Sequence, residues 1–234
     1  MKRAVLRLTC AILLMLLPAV YSESAGERCV SGIVITDYTQ TVHAGTIRFV
    51  CQQYESADRY GWGRYARDRS AAHGPAGNCT TAVQSMAFSY IGIKAQPVSI
   101  VSQITNFRTN YGFEEADTAY RTGYSATAEH LDRFLDRFLT YADDGIISPV
   151  IVHYRNGGKN RSLHQHSVLV IGKDEEGRYI AIDPAREWED CIKTFTLKKG
   201  KNGRAYLSGD VARGNENVYL DAIEQYYLIG SGIL

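Results

Sequence analysis

The sequence predicts an α+β fold, with a helical half followed by a sheet half. Two observations carry that prediction. Between residues 79 and 141, apolar side chains recur at helical spacing in three separate stretches. Beyond Asp143-Asp144-Gly145 the pattern changes to short apolar runs punctuated by Gly177, Gly200 and Gly203, the signature of strands and turns. A length of 234 residues with 45% hydrophobic composition supports one sizeable core or two small ones. No internal repeat or low-complexity tract interrupts it.

The N-terminus is set apart from this pattern. Lys2, Arg3 and Arg7 form a positive region, Ala11–Leu17 is a continuous apolar run, and Pro18-Ala19-Val20-Tyr21-Ser22 leads into a polar stretch. This order reads as a cleavable signal peptide over residues 1–25, because the run is too short to span a bilayer. The expectation is a secreted or periplasmic protein with no stable membrane insertion after signal cleavage. Removing residues 1–25 takes away three basic residues and one acidic residue, leaving 23 Lys+Arg against 24 Asp+Glu. So even a balance argues against a nucleic-acid partner.

Residues 29–51 are apolar and alternating at both ends, with a turn signal at Ala44-Gly45, and predict two antiparallel strands. Cys29 and Cys51 close the ends of this pair and are the disulfide candidates; a bridge there would add about 3 kcal/mol. Residues 52–78, rich in Gly, Arg, Tyr and Ser, read as an irregular surface connection. Residues 26–69 are therefore expected to form an N-terminal strand pair with its connecting loop. A helix starts at Cys79, carries Ala82, Val83, Met86, Ala87, Tyr90 and Ile91 at helical spacing, and stops at Gly92. Pro97 opens a second helix over Val98–Phe107. The third, over residues 127–141, has an apolar stripe of Leu131, Phe134, Leu135, Phe138 and Leu139. Strands follow at Pro149–Tyr154, Ser167–Gly172, Tyr179–Ile182, Thr194–Leu197 and Tyr226–Ile229.

Three residues carry candidate chemistry. A thiol attacks only as its thiolate, and Cys79 stands at a helix start, where the dipole and unpaired N–H groups favour negative charge. The same N–H groups can support an oxyanion, and the Thr80 hydroxyl is a candidate cap. A thiolate also needs a base, and the base an orienter. His166 opens an apolar strand and Asp183 ends the next one, in Tyr179-Ile180-Ala181-Ile182-Asp183-Pro184. A hairpin turning at Asp174-Glu175-Glu176-Gly177 would bring the two to the same end, in nucleophile–base–orienter order with Cys79.

The Cys-helix unit, the His-apolar-strand-Gly unit, the strand ending in Asp-Pro and the preceding Pro149-Val150-Ile151-Val152 resemble the C39-like branch of the papain-like cysteine peptidases. The resemblance covers roughly residues 70–190. It implies a papain-like fold over 70–234, in which a helical lobe carrying the cysteine packs on an antiparallel sheet carrying the histidine and the acid. It also implies a peptidase acting on peptide or protein substrates, with Cys79 as nucleophile, His166 as base and Asp183 as orienter. One feature departs from the family. A glutamine usually stands six residues before the cysteine and donates to the oxyanion; here His73 holds that place, and no glutamine lies between Gln53 and Cys79. His73 and Asn78 are the oxyanion candidates, with backbone N–H groups alone as the alternative.

Other readings of the same residues remain open. His164-x-His166 places two imidazoles on one strand face, but no nearby Cys or carboxylate completes a metal spacing, so no metal or cofactor is expected. His153 and His130 read as strand-edge and helix-surface residues, and Trp62 and Trp188 as cleft or core. The same triad could transfer an acyl group to an amine, as transglutaminases do. From a different class comes an inactive exported binding module, with its four mature cysteines paired and Cys79 bridged to Cys191.

Overall fold

The computed structural model describes residues 26–38, 41–70, 73–102, 113–118, 126–156, 165–201, 203–212 and 218–228. The expected signal peptide, His164 and the end of the second expected helix lie outside them. The fold is α+β and is built on a closed barrel.

Strands β1 (Glu27–Val30) and β2 (Ile33–Thr36) form an antiparallel hairpin. Its turn is Ser31-Gly32, both at positive φ, 52° and 80°, the geometry that matches strand twist in a two-residue loop. Strand β3 (Thr46–Arg48) then pairs with β2 in parallel. The expected antiparallel pair is thus a three-stranded mixed sheet. The short turn falls within what had read as the first strand, and Gly45, at φ 82°, leads into β3.

Helix α1 (Cys79–Tyr90) is buried on nearly every side because it lies between two sheets. Toward the small sheet, Ser89 Oγ accepts from Arg48 N at 2.8 Å, and Tyr90 O accepts from Gly45 N at 2.8 Å. Its C-terminus stops at Gly92, which takes φ 78°. After the short helix α2 (Pro97–Ser102) and strand β4 (Phe113–Thr118) comes α3 (Ala128–Thr140). His130, expected as a helix-surface residue, completes the α3 capping box: Thr127 Oγ1 accepts from His130 N, and His130 Nδ1 accepts from Thr127 N. Leu131, Phe134, Leu135 and Phe138 face the core, whereas Leu139, expected in the same stripe, is 43% exposed.

Six antiparallel strands make the barrel: β5 (Val150–Asn156), β6 (Gln165–Lys173), β7 (Tyr179–Ile182), β8 (Ile192–Lys199), β9 (Ala205–Gly209) and β10 (Val218–Leu228). They pair in the order β10-β5-β6-β7-β8-β9, and a pairing of β9 with β10 at Tyr206↔Tyr219 closes the ring. Strand β4 adds to the outside of β10. Closure removes exposed barrel edges. It also explains why Val150–Val152 and Val168–Ile171 are apolar runs rather than alternating. One face fills the barrel and the other lies against helices, so all of them are fully buried.

Ile35, Ile47 and Phe49 belong to the same buried cluster as α1 and the barrel. A chain lacking residues 26–69 is therefore expected to lose cooperative thermal unfolding and to bind a hydrophobic dye. Calorimetry with dye fluorescence checks this, and a sharp, unaltered transition would contradict it.

Candidate active site

The entry to α1 is set by a tight turn. Residues Pro75–Gly77 wind into one 3-10 turn, and Asn78 separates it from Cys79. Gly74 is pressed so closely on Asp68 that a Cβ there would lie 1.9 Å from the Asp68 carbonyl oxygen. Asn78 Nδ2 donates to Gly74 O at 2.9 Å. The first turn of α1 docks on β6, and Cys79 Sγ lies 3.7 Å from Ser167 Oγ.

His166 is the second residue of β6, and Asp183 follows β7. The two strands pair antiparallel, with Leu169 opposite Ile182, so both residues sit at one end of the hairpin. His166 Nε2 donates to Asp183 Oδ1 at 2.6 Å, which leaves Nδ1 for the thiol. Asp183 is 1% exposed; its Oδ1 also accepts from Ala185 N at 2.9 Å. The Tyr154 ring meets His166 edge-on with centroids 5.4 Å apart.

These contacts reset the ionisation of the pair. Burial alone would push the Cys79 thiol up, but hydrogen bonding and charge from His166, with help from Ser167, bring it down to about 7. Burial alone would push the His166 imidazolium down, but its bonds to Asp183 and Cys79 raise it to about 9. A thiolate–imidazolium pair is therefore favoured near neutral pH.

The loop that carries the acid is braced from the N-terminal segment. Gln52 N donates to Pro184 O at 2.8 Å, Gln53 Nε2 donates to Ala185 O, and Ser56 Oγ donates to Glu187 at 3.2 Å. Gln52 stands 27 residues before Cys79, and nothing in its spacing marks it. Its side chain is 7% exposed and donates to Ala76 O, in the turn before Cys79, at 3.3 Å.

Of the residues marked in the sequence, the structure brings Cys79, His166 and Asp183 together. The two oxyanion candidates are engaged elsewhere. His73 is exposed, stacks on Tyr65 with centroids 5.2 Å apart and lies 3.7 Å from Asp68. The Asn78 amide braces the turn. Thr80 does not cap α1, since its hydroxyl meets Ser167 Oγ at 2.9 Å. The Cys29–Cys51 bridge does not form. Cys29 is exposed on β1, whereas Cys51 is buried with its sulfur accepting from Gln53 N, and both are free. Cys79 and Cys191 are free as well. Both tryptophans are core. Trp62 Nε1 donates to Cys51 O, and Trp188 packs between Phe49 and the Arg28 guanidinium. Among the described residues no group of three His, Cys, Asp or Glu is arranged to hold a metal, and no helix is long and apolar enough to cross a membrane.

The sequence model of the Peptidase C39-like family matches residues 64–208, more than half of the chain. The chain belongs to the Peptidase C39-like family. No curated protein matches it. The segment shared with the Peptidase C39-like family contains Cys79, His166 and Asp183, while Gln52, Gln53 and all of β10 lie outside it.

The turn before Cys79 gives a stability test. Gly74→Ala forces a methyl group against a carbonyl, and a loss of about 2 kcal/mol or more is expected. Chemical denaturation would read it as a lower midpoint at unchanged slope; a wild-type midpoint would show that the turn yields freely.

Proposed function

We propose that the protein is an exported cysteine peptidase that hydrolyses peptide bonds through Cys79, His166 and Asp183. The observation that carries this reading is the hydrogen-bonded chain from the Asp183 carboxylate through the His166 ring to a thiol lowered to about 7. A cysteine helix packed on a barrel that bears the histidine and the acid is also the layout of papain-like peptidases, and family membership supports the same class of chemistry. The basic and apolar order of residues 1–25 supports export.

The chemistry follows from the geometry. The Cys79 thiolate attacks the carbonyl carbon, and the negative charge moves to the carbonyl oxygen. The N–H groups at the start of α1 support that oxygen, since the first helical N–H groups lack partners within the helix. The second amide proton of Gln52, whose first goes to Ala76 O in the turn before Cys79, is the candidate for an added side-chain donor. Collapse of the intermediate breaks the C–N bond as the His166 imidazolium gives its proton to the leaving amine. A thioester remains. Neutral His166 then takes a proton from water, whose oxygen attacks the thioester, and the proton returns to the sulfur as the acid leaves. Asp183 keeps one ring nitrogen bonded throughout, so the other always faces the reacting atoms.

A broad peptide library incubated with wild type and Cys79→Ala tests this reading. Cleavage by wild type alone is expected, and equal cleavage by both would refute it. His166→Ala should lower kcat by about a hundredfold to ten-thousandfold. The wild-type rate should follow a bell. It rises as pH passes about 7, where the thiol ionises, and falls above about 9, where the imidazolium loses the proton needed by the leaving group. A profile rising monotonically through pH 10 would be inconsistent with an imidazolium donor.

A further inference from the structure

Cys79 has a second chain of polar contacts besides the one through His166. Ser167 Oγ lies 3.7 Å from Cys79 Sγ, 2.9 Å from Thr80 Oγ1 and 2.8 Å from His153 Nδ1. His153 Nε2 is 3.3 Å from Glu224 Oε1. Glu224 Oε2 accepts from Tyr226 OH at 2.9 Å, and that hydroxyl accepts from Gln84 Nε2 at 3.2 Å. Gln84 lies on α1, so the chain of contacts returns to the helix that bears Cys79. It also crosses three adjacent strands in register, since His153 on β5 is opposite Ser167 on β6 and Ala222 on β10. Glu224 is two residues along from Ala222, a diagonal neighbour within reach of a long side chain. His153 and Glu224 are only 17% and 24% exposed at the side chain.

Proton counting shows what this arm can do. A serine hydroxyl has one proton and two lone pairs. While Cys79 is a thiol it donates to Ser167, and Ser167 can donate to His153 Nδ1. Once Cys79 is a thiolate it needs donors, so the Ser167 proton must turn to the sulfur. Thr80 and His153 must then both donate to Ser167. The Thr80 hydroxyl can rotate to do so. His153 can do so through Nδ1 when that nitrogen carries the ring proton, and its Nε2, 3.3 Å from Glu224 Oε1, makes no hydrogen bond.

Resting on the peptidase reading of Cys79, we propose that Ser167 is a direct donor to the Cys79 thiolate and that His153, backed by Glu224, is the positioning element that turns its hydroxyl. Among the described residues, the charged and titratable groups of this arm are Cys79 from α1, His166 beside it on β6, and Glu224 and Tyr226 from β10. Arg155, on the same strand as His153, is held by Asp221 at 2.9 Å.

The test is the rate of iodoacetamide alkylation at Cys79 against pH, read on the Cys79 peptide by mass spectrometry in the chain beginning after residue 25. Cys51 and Cys191 are buried and report unfolded molecules in the same samples. Ser167→Ala should move the acid edge of the profile up by about one pH unit, roughly tenfold less thiolate below the edge. His153→Phe should move it the same way, and His153→Gln, whose amide can donate to Ser167, should recover most of the shift. Should Ser167→Ala fail to fold, the two His153 variants decide the matter. Profiles for Ser167→Ala and His153→Phe that superimpose on wild type overturn the proposal, as does a His153→Gln profile no better than His153→Phe. His166→Ala separates the two readings. If it alone loses the low-pH thiolate, the second arm fails while the triad stands, and if it too leaves the profile unchanged, the triad reading fails.

Discussion

The docking of the first turn of α1 on the first residues of β6 is the contact from which the site follows. Adjacent residues of a strand point to opposite faces. His166 and Ser167 are adjacent, so a sulfur held at the start of β6 can meet both, with Asp183 behind one and His153 behind the other. A slip of one residue in β6 would exchange the two side chains. The register is held by Val150↔Val170 and Val152↔Val168, all fully buried, so slippage would also carry apolar residues out of the core. The apolar pattern of the barrel thereby fixes which side chain faces the thiol.

The contrast among the thiols shows how much the surroundings decide. Burial pushes Cys51 and Cys191 up to about 11 and about 12, and neither the hydrogen bonds at Cys51 nor the Arg28 charge near Cys191 offsets it. Cys79 also bears a desolvation penalty, yet it comes down to about 7 because an imidazole and a hydroxyl face its sulfur. Burial that outweighs its partners makes a cysteine inert, whereas burial beside a histidine that is itself backed by a carboxylate makes it nucleophilic. Three cysteines of one chain thus take opposite roles through contacts that a few residues determine.

What was legible in the sequence was local. The α1 spacing, its Gly92 stop, the strand Tyr179–Ile182 and the His166–Asp183 hairpin each depend on residues close together in the chain, and all appear where periodicity and turn chemistry put them. The β1–β2 hairpin was hidden because strands of four residues are too short for a clear alternation, so Ser31-Gly32 read as the interior of a longer strand. Strand β9 was hidden because Ala205–Gly209 is only five residues long and is defined by its pairing with β8 and β10. Gln52, His153 and Glu224 were hidden for a different reason. Nothing near them in sequence marks them, and their positions at the site arise from contacts between distant segments, such as Glu224 reaching a histidine on β5.

That distribution separates chemistry from its support. A buried carboxylate is costly unless its geometry is fixed and its lone pairs are satisfied. Asp183 meets this condition through His166 and Ala185 N, and the loop bearing Ala185 is held in turn by Gln52 and Gln53 from the segment after β3. These glutamines precede the segment matched by the family, as Glu224 follows it. The reacting side chains therefore belong to the common part of the fold, while the groups that hold the acid loop and reach the second histidine come from the flanks. Replacing a flank can change how firmly the imidazole is aimed, and at what pH the sulfur ionises, without altering the three side chains that would carry the reaction.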